Sequence, residues 1–115
     1  MFTVTGSEAG RVWIKLNAGH PIYQAHFPGN PITPGVCIIQ MVGELAGARI
    51  GRRLQLSKIV NLKFVAPVSP TEHPDVEVNF SLIDEQEDGN VKVKGELTAD
   101  ANMMTKFSLV FVLHD

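Results

Sequence analysis

A chain of 115 residues has room for one hydrophobic core and not for two, and 44% apolar beside 19% charged residues excludes an intrinsically disordered chain. Ten cationic and twelve anionic side chains leave a formal charge of -2, which argues against nucleic acid as a partner. The single cysteine, Cys37, excludes an internal disulfide and fits a reducing cytoplasm.

The first ten residues lack a basic region followed by an apolar stretch, so no secretory leader is expected there. Residues 2–5 and 11–17, the latter alternating through Val12, Ile14 and Leu16, predict two strands joined by a turn with Gly6 and Gly10 between them. Residues 18–21 have turn composition, and 22–25 are expected to be a short extended piece leading into His26. From His26 to Gly47 the chain reads HFPGNPITPGVCIIQMVGELAG. Its first half, with Pro28, Pro31 and Pro34, predicts a rigid loop. Pro34 biases Thr33 towards extended backbone, so the helix is expected to begin at about Gly35.

That helix is expected to run to Arg52 and Arg53, where cations suit the negative end of its dipole, giving a rod of roughly 28 Å. Val36, Ile38, Ile39, Met41, Val42, Leu45 and Ile50 project in nearly every direction, which predicts a helix enclosed by protein. The apolar run is too short and too interrupted to span a membrane. Gln40 and Glu44 interrupt it one turn apart on a shared face. A carboxylate there needs a partner, such as a buried arginine, or a route to solvent, or a function. Gly43 and Gly47 mark points where a neighbouring backbone or a ligand chain approaches closely.

The remaining half reads as strands at 58–68, 76–83, 91–98 and 103–113. Val76, Val78, Phe80 and Leu82 share one face, as do Val91, Val93, Gly95 and Leu97. An acidic hairpin loop at 84–90 and a turn at 99–102 predict an antiparallel meander. One long helix and about six antiparallel strands share a core when a curved sheet wraps round the helix, an α+β arrangement in a single domain spanning 1–115.

His26 stands in the proline-pinned loop before a helix N-terminus, where the dipole favours a neutral imidazole able to act as a base. The first amides of the helix, Gly35 and Val36, have no intrahelical acceptor, and Gly35 has no side chain to block a ligand; together they suit a carbonyl oxygen that becomes negative during reaction. A base beside such a site implies proton abstraction next to a carbonyl, although a lone histidine also serves simply to cap a loop. His20, His73 and His114 are expected at the surface, no pair of histidines has metal-ligand spacing, and neither metal nor cofactor is expected. Cys37, in the first helical turn, is expected to be buried as a small apolar residue.

The block HFPGNPITPGV followed by a buried helix resembles the hot-dog-fold β-hydroxyacyl-(acyl-carrier-protein) dehydratases of fatty acid synthesis. Residues 21–25 look like that family's approach to HFPG, residues 62–68 (LKFVAPV) are similar to its K-F-x-x-P-V strand, and residues 92–95 resemble its penultimate strand. The resemblance implies a hot-dog fold and removal of water from a (3R)-hydroxyacyl thioester on an acyl carrier protein. It implies that His26 takes the C2 proton and that the Gly35 and Val36 amides polarise the thioester carbonyl. It further implies an acid on the helix of the other subunit, and hence a homodimer or dimer-based oligomer. The family's acid lies fourteen residues after the histidine, where this chain has Gln40, while Glu44 stands where glutamine is usual. Acid and amide have exchanged places, and Glu44 is expected to supply the proton or position a water while Gln40 orients it or the hydroxyl. Two alternatives stand beside the dehydratase: a catalytically weak acyl-binding or partner subunit, favoured by Gln40, and an acyl thioesterase, which needs a carboxylate to activate water.

Overall fold

A computed structural model of the chain describes residues 1–25 and 29–114. The described residues run in the order β1 (Phe2–Glu8), β2 (Arg11–Leu16), α1 (Ile22–Ala25), α2 (Gly35–Ile50), β3 (Leu54–Phe64), β4 (Asp75–Glu85), β5 (Asn90–Ala99) and β6 (Asn102–Leu113). The strands form one antiparallel sheet of spatial order β1-β2-β4-β5-β6-β3. The meander expected of the last three strands is present, but β3 departs from it. It crosses to the far edge and pairs with β6, Leu54 opposite Leu113 and Phe64 opposite Thr105.

The bounds of α2 and β3 differ from expectation for one local reason. Gly51 adopts φ 70° and donates its N–H to the Gly47 carbonyl, closing the helix in a left-handed cap before the arginines are reached. Residues 54–57 are thereby released into β3. At its other end Val65 and Ala66 both donate to the Met104 carbonyl, at 2.8 and 3.2 Å, and Pro67 has no N–H to extend the ladder. In β4 a bulge between Phe80 and Leu82 shifts the alternation, so that Ile83 rather than Leu82 reaches the core.

The core joins Ile14 and Leu16 of β2, Val76 and Val78 of β4, Val91, Val93 and Leu97 of β5, and Phe107, Leu109 and Phe111 of β6 to Ile38, Met41, Val42, Leu45 and Ala46 of α2. A single sheet can cover only one side of a helix. The expectation of an enclosed helix is corrected accordingly: Val36, Gln40, Glu44 and Ala48, four apart, form an exposed stripe. On the covered side the glycines are filled by this chain's own atoms. A Cβ at Gly43 would lie 2.8 Å from the Phe111 ring, and one at Gly47 would lie 2.5 Å from the Arg52 carbonyl oxygen. No helix among the described residues is long and apolar enough to cross a membrane.

The two sheet edges are unlike. β1 is short, irregular between Val4 and Gly6, and rich in hydroxyl residues. β3 is eleven residues long and leaves Leu56, Ile59, Val60 and Phe64 exposed, Val60 at 58%. Val36, at the start of the exposed helical stripe, is 72% exposed.

Candidate active site

Residues 22–25 form a single helical turn and not the extended piece that was expected. Pro21 fits the first helical position, and His20 caps the turn: its Nδ1 accepts the Ile22 N–H at 3.1 Å. The backbone closes it through Tyr23 N–H to the His20 carbonyl and Gln24 N–H to the Pro21 carbonyl. This turn buries Tyr23, whose hydroxyl is hydrogen-bonded to that of Thr33 at 2.9 Å. Thr33 in turn donates its N–H to the Val68 carbonyl at 2.8 Å. The predicted base, His26, lies outside the described residues, but the chain is tied down before it at Tyr23 and after it at Thr33.

Burial raises the Tyr23 hydroxyl above its ordinary value of 10.0, outweighing the Thr33 hydrogen bond that lowers it, while Cys37 adds to the rise. The fold therefore holds the protonated phenol. Its contribution is fully present below the unfolded value, near pH 10, and is lost as pH rises through the higher folded value. Tyr23→Phe should flatten that alkaline fall in stability. At neutral pH it should cost about 1 kcal/mol, because the buried Thr33 hydroxyl loses its partner. Urea unfolding of both proteins between pH 7 and 11 checks the sign and the size; equal alkaline slopes would refute it.

Pro34 caps α2 with extended backbone and offers no side-chain acceptor. Cys37 and Ile38 N–H both donate to the Pro34 carbonyl, at 3.0 and 3.2 Å. The Gly35 and Val36 amides have no acceptor among the described residues, as expected of a helix N-terminus. The space beside Gly35 is not empty, however. A Cβ there would sit 2.6 Å from the Phe64 ring, so the room left by glycine is taken by a side chain of the neighbouring strand.

Gln40 and Glu44 are both exposed, so the carboxylate lies at the surface and meets no buried arginine. They form a ridge between two depressions. On one side lies a groove of about 900 Å³ that also touches Val36, Gly43, Leu56 and Phe111. On the other is a cleft of about 540 Å³ that also touches His20, Ile22, Cys37 and Met41. Cys37 is half-buried, less enclosed than expected.

Of the histidines expected at the surface, His114 is exposed, but His20 and His73 are half-buried. His73 has its Nδ1 3.1 Å from Asp100 Oδ2. His20 was missed; the available signal was Pro21, a residue suited to the first position of a helical turn, which puts His20 at the cap. Among the described residues no cluster of three or more histidine, cysteine or carboxylate groups has metal-site spacing.

Residues 5–105 match the ApeI-like family, the ApeI dehydratases. The 3-hydroxyacyl-[acyl-carrier-protein] dehydratase FabZ of Sinorhizobium medicae is 30% identical over 112 residues, spanning 84% of this chain and 70% of that protein. The dehydratase heterocomplex ApeI:P of Xenorhabdus doucetiae has a chain that matches this fold with a TM-score of 0.64 at 20% identity, covering 89% of this chain and 85% of its own. A thioesterase superfamily protein of Shewanella loihica covers 95% and 88% with a TM-score of 0.57 at 15% identity, a likeness of fold alone. The six-stranded antiparallel sheet with one long helix is thus the hot-dog fold that the motif implied, and the chain belongs to the ApeI-like dehydratase family, with FabZ among its relatives.

Proposed function

We propose that the chain removes water from a (3R)-hydroxyacyl thioester held by an acyl carrier protein, giving the trans-2-enoyl product in fatty acid or related polyene biosynthesis in the cytoplasm. What carries this is the exposed stripe of α2, which presents Gln40 and Glu44 together on a helix whose first two amides are open. His26 takes the C2 proton. The electrons of that C–H bond become the C2=C3 double bond as C3–O breaks, and the Gly35 and Val36 N–H groups steady the negative charge on the thioester oxygen. Glu44 gives its proton to the departing hydroxyl while Gln40 orients it, since an amide cannot act as the acid. The proton held by His26 then returns to Glu44 through water. No cofactor enters the sequence. One helical turn, about 6 Å of rise, separates positions 40 and 44, and both border the same groove and the same cleft.

A second copy of the chain on the β3 edge is part of this proposal. The exposed Leu56, Ile59, Val60 and Phe64, with Val36 beside them, are side chains that an isolated soluble chain does not normally leave bare. Arg49, Arg53 and Lys58 are exposed, and Arg52 stands 3.7 Å from Glu85; such a rim suits an acidic carrier protein. A second reading, favoured by Gln40 and by the heterocomplex formed by the ApeI:P proteins, is a subunit that lacks the acid and pairs with an acid-bearing chain.

Turnover of a 3-hydroxyacyl carrier-protein thioester by wild type, Glu44→Gln and Gln40→Glu separates these. The expected result is an active wild type and a loss of about a hundredfold in Glu44→Gln. An inert wild type awakened by Gln40→Glu would establish the partner subunit, and release of free acid without enoyl product would establish a thioesterase.

A further inference from the structure

His20 is a held group that the proposed reaction leaves unused. Its N–H donates to the Asn17 carbonyl at 3.0 Å, its carbonyl accepts from Tyr23, and its Nδ1 accepts from Ile22. With Nδ1 as an acceptor, the neutral ring carries its proton on Nε2. That N–H has no acceptor among the described residues, and His20 lines the cleft shared with Gln40 and Glu44. The rest of that wall is mostly apolar, through Phe2, Ile22 and Met41. Apolar walls with a few convergent polar groups suit an aliphatic chain bearing one small polar substituent.

We propose that this cleft is the subsite for the β-hydroxyl of a 3-hydroxyacyl thioester, and that His20 is the residue that makes the site prefer a hydroxylated chain over a saturated one. The match is one of valence. A hydroxyl oxygen offers two lone pairs and one hydrogen. The His20 Nε2–H and the Glu44 carboxyl address the lone pairs, and the Gln40 amide oxygen takes the hydrogen. A saturated chain in the same place leaves these groups facing a methylene, and sites built to hydrogen-bond a hydroxyl reject the analogue without it. The proposal rests on the hydroxyacyl thioester reading above, and it gives the exchanged pair at 40 and 44 a third neighbour that distinguishes them from a simple swap.

The test is calorimetric binding of a (3R)-3-hydroxyacyl pantetheine amide and of the saturated amide of equal length. The amide replaces the thioester so that C2–H is not acidic enough to be removed. Wild type should prefer the hydroxylated amide by about tenfold or more. His20→Asn keeps an oxygen to accept the Ile22 N–H, and so keeps the cap, but has no Nε2. It should lose the preference while binding the saturated amide as wild type does. His20→Gln, whose amide nitrogen approaches the Nε2 position, should recover part of it. An absent preference in wild type, or an unchanged one in His20→Asn, overturns the proposal. Dehydration assays on the same proteins keep the two readings apart. A preference lost in His20→Asn in a chain that cannot dehydrate upholds the subsite and removes the dehydratase, whereas full dehydration by His20→Asn with an unchanged preference does the reverse.

Discussion

Alanine at His26 should lower the dehydration rate by about a thousandfold while leaving the unfolding midpoint within about two degrees of wild type. The rate falls because nothing else in the proposed machinery accepts the C2 proton; Gly35 and Val36 supply only N–H groups, and Glu44 is committed to the hydroxyl. The midpoint holds because the described residues on either side of His26 carry anchoring contacts of their own. The Tyr23 and Thr33 hydroxyls are joined on one side and the Thr33 N–H meets the Val68 carbonyl on the other. KM should change little, since substrate positioning is left to the helix amides and the exposed stripe. Formation of the enoyl product, followed by absorbance beside thermal unfolding of the same sample, gives both numbers. A variant within tenfold of wild type would remove His26 from the role of base.

The largest loss of stability is expected from Gly95→Ala. Gly95 sits opposite Phe80 at the β4 bulge and opposite Phe107 on the other side. Its missing side chain lets the Asn79 carbonyl oxygen close in, and a Cβ would also come within 2.9 Å of the Phe107 ring. Phe107 is committed where it stands, meeting Phe80 edge-on with ring centroids 6.0 Å apart. A methyl group here must displace backbone and not merely rotate a side chain. The cost should be about 3 kcal/mol or more, or roughly 12 to 20 degrees in the midpoint of a domain this size. Gly19→Ala is the control, since its nearest neighbour is the Asn17 side-chain oxygen, 3.3 Å away. Similar midpoints for the two variants would refute the account.

Local sequence carries some of these features and not others. Alternation in β4 and β5 is a property of a strand and its own two faces, so those elements were legible. The bulge at Phe80 was not, because it depends on how Gly95 of the next strand receives its neighbours. The start of α2 was legible from Pro34, and its end at Gly51 was available as a glycine cap but was masked by the arginines that follow. The partner of β3 was illegible, since a period of two identifies a strand without naming what it pairs with. The exposure of the Val36–Gln40–Glu44–Ala48 stripe could not be read either, because an apolar helix looks the same whether its cover comes from its own chain or another. For the candidate site, the position of Gly35 and Val36 at the start of α2 and of Gln40 and Glu44 on one face of it was legible in the sequence. Tyr23, Phe64 and His20 join it only through the fold.

The contrast between the two sheet edges gives the chain a valence. An edge of eleven residues with a bare apolar flank can add one more sheet, whereas the short, interrupted and hydroxylated β1 offers no comparable template. In the proposed pairing through β3, growth terminates after one event, because each newcomer presents only a β1 at its outer margin. Two adhesive edges on the same chain would propagate a ribbon without end. In that proposed pairing the irregularity between Val4 and Gly6 acts as a chain terminator, felt only when many copies share one solution.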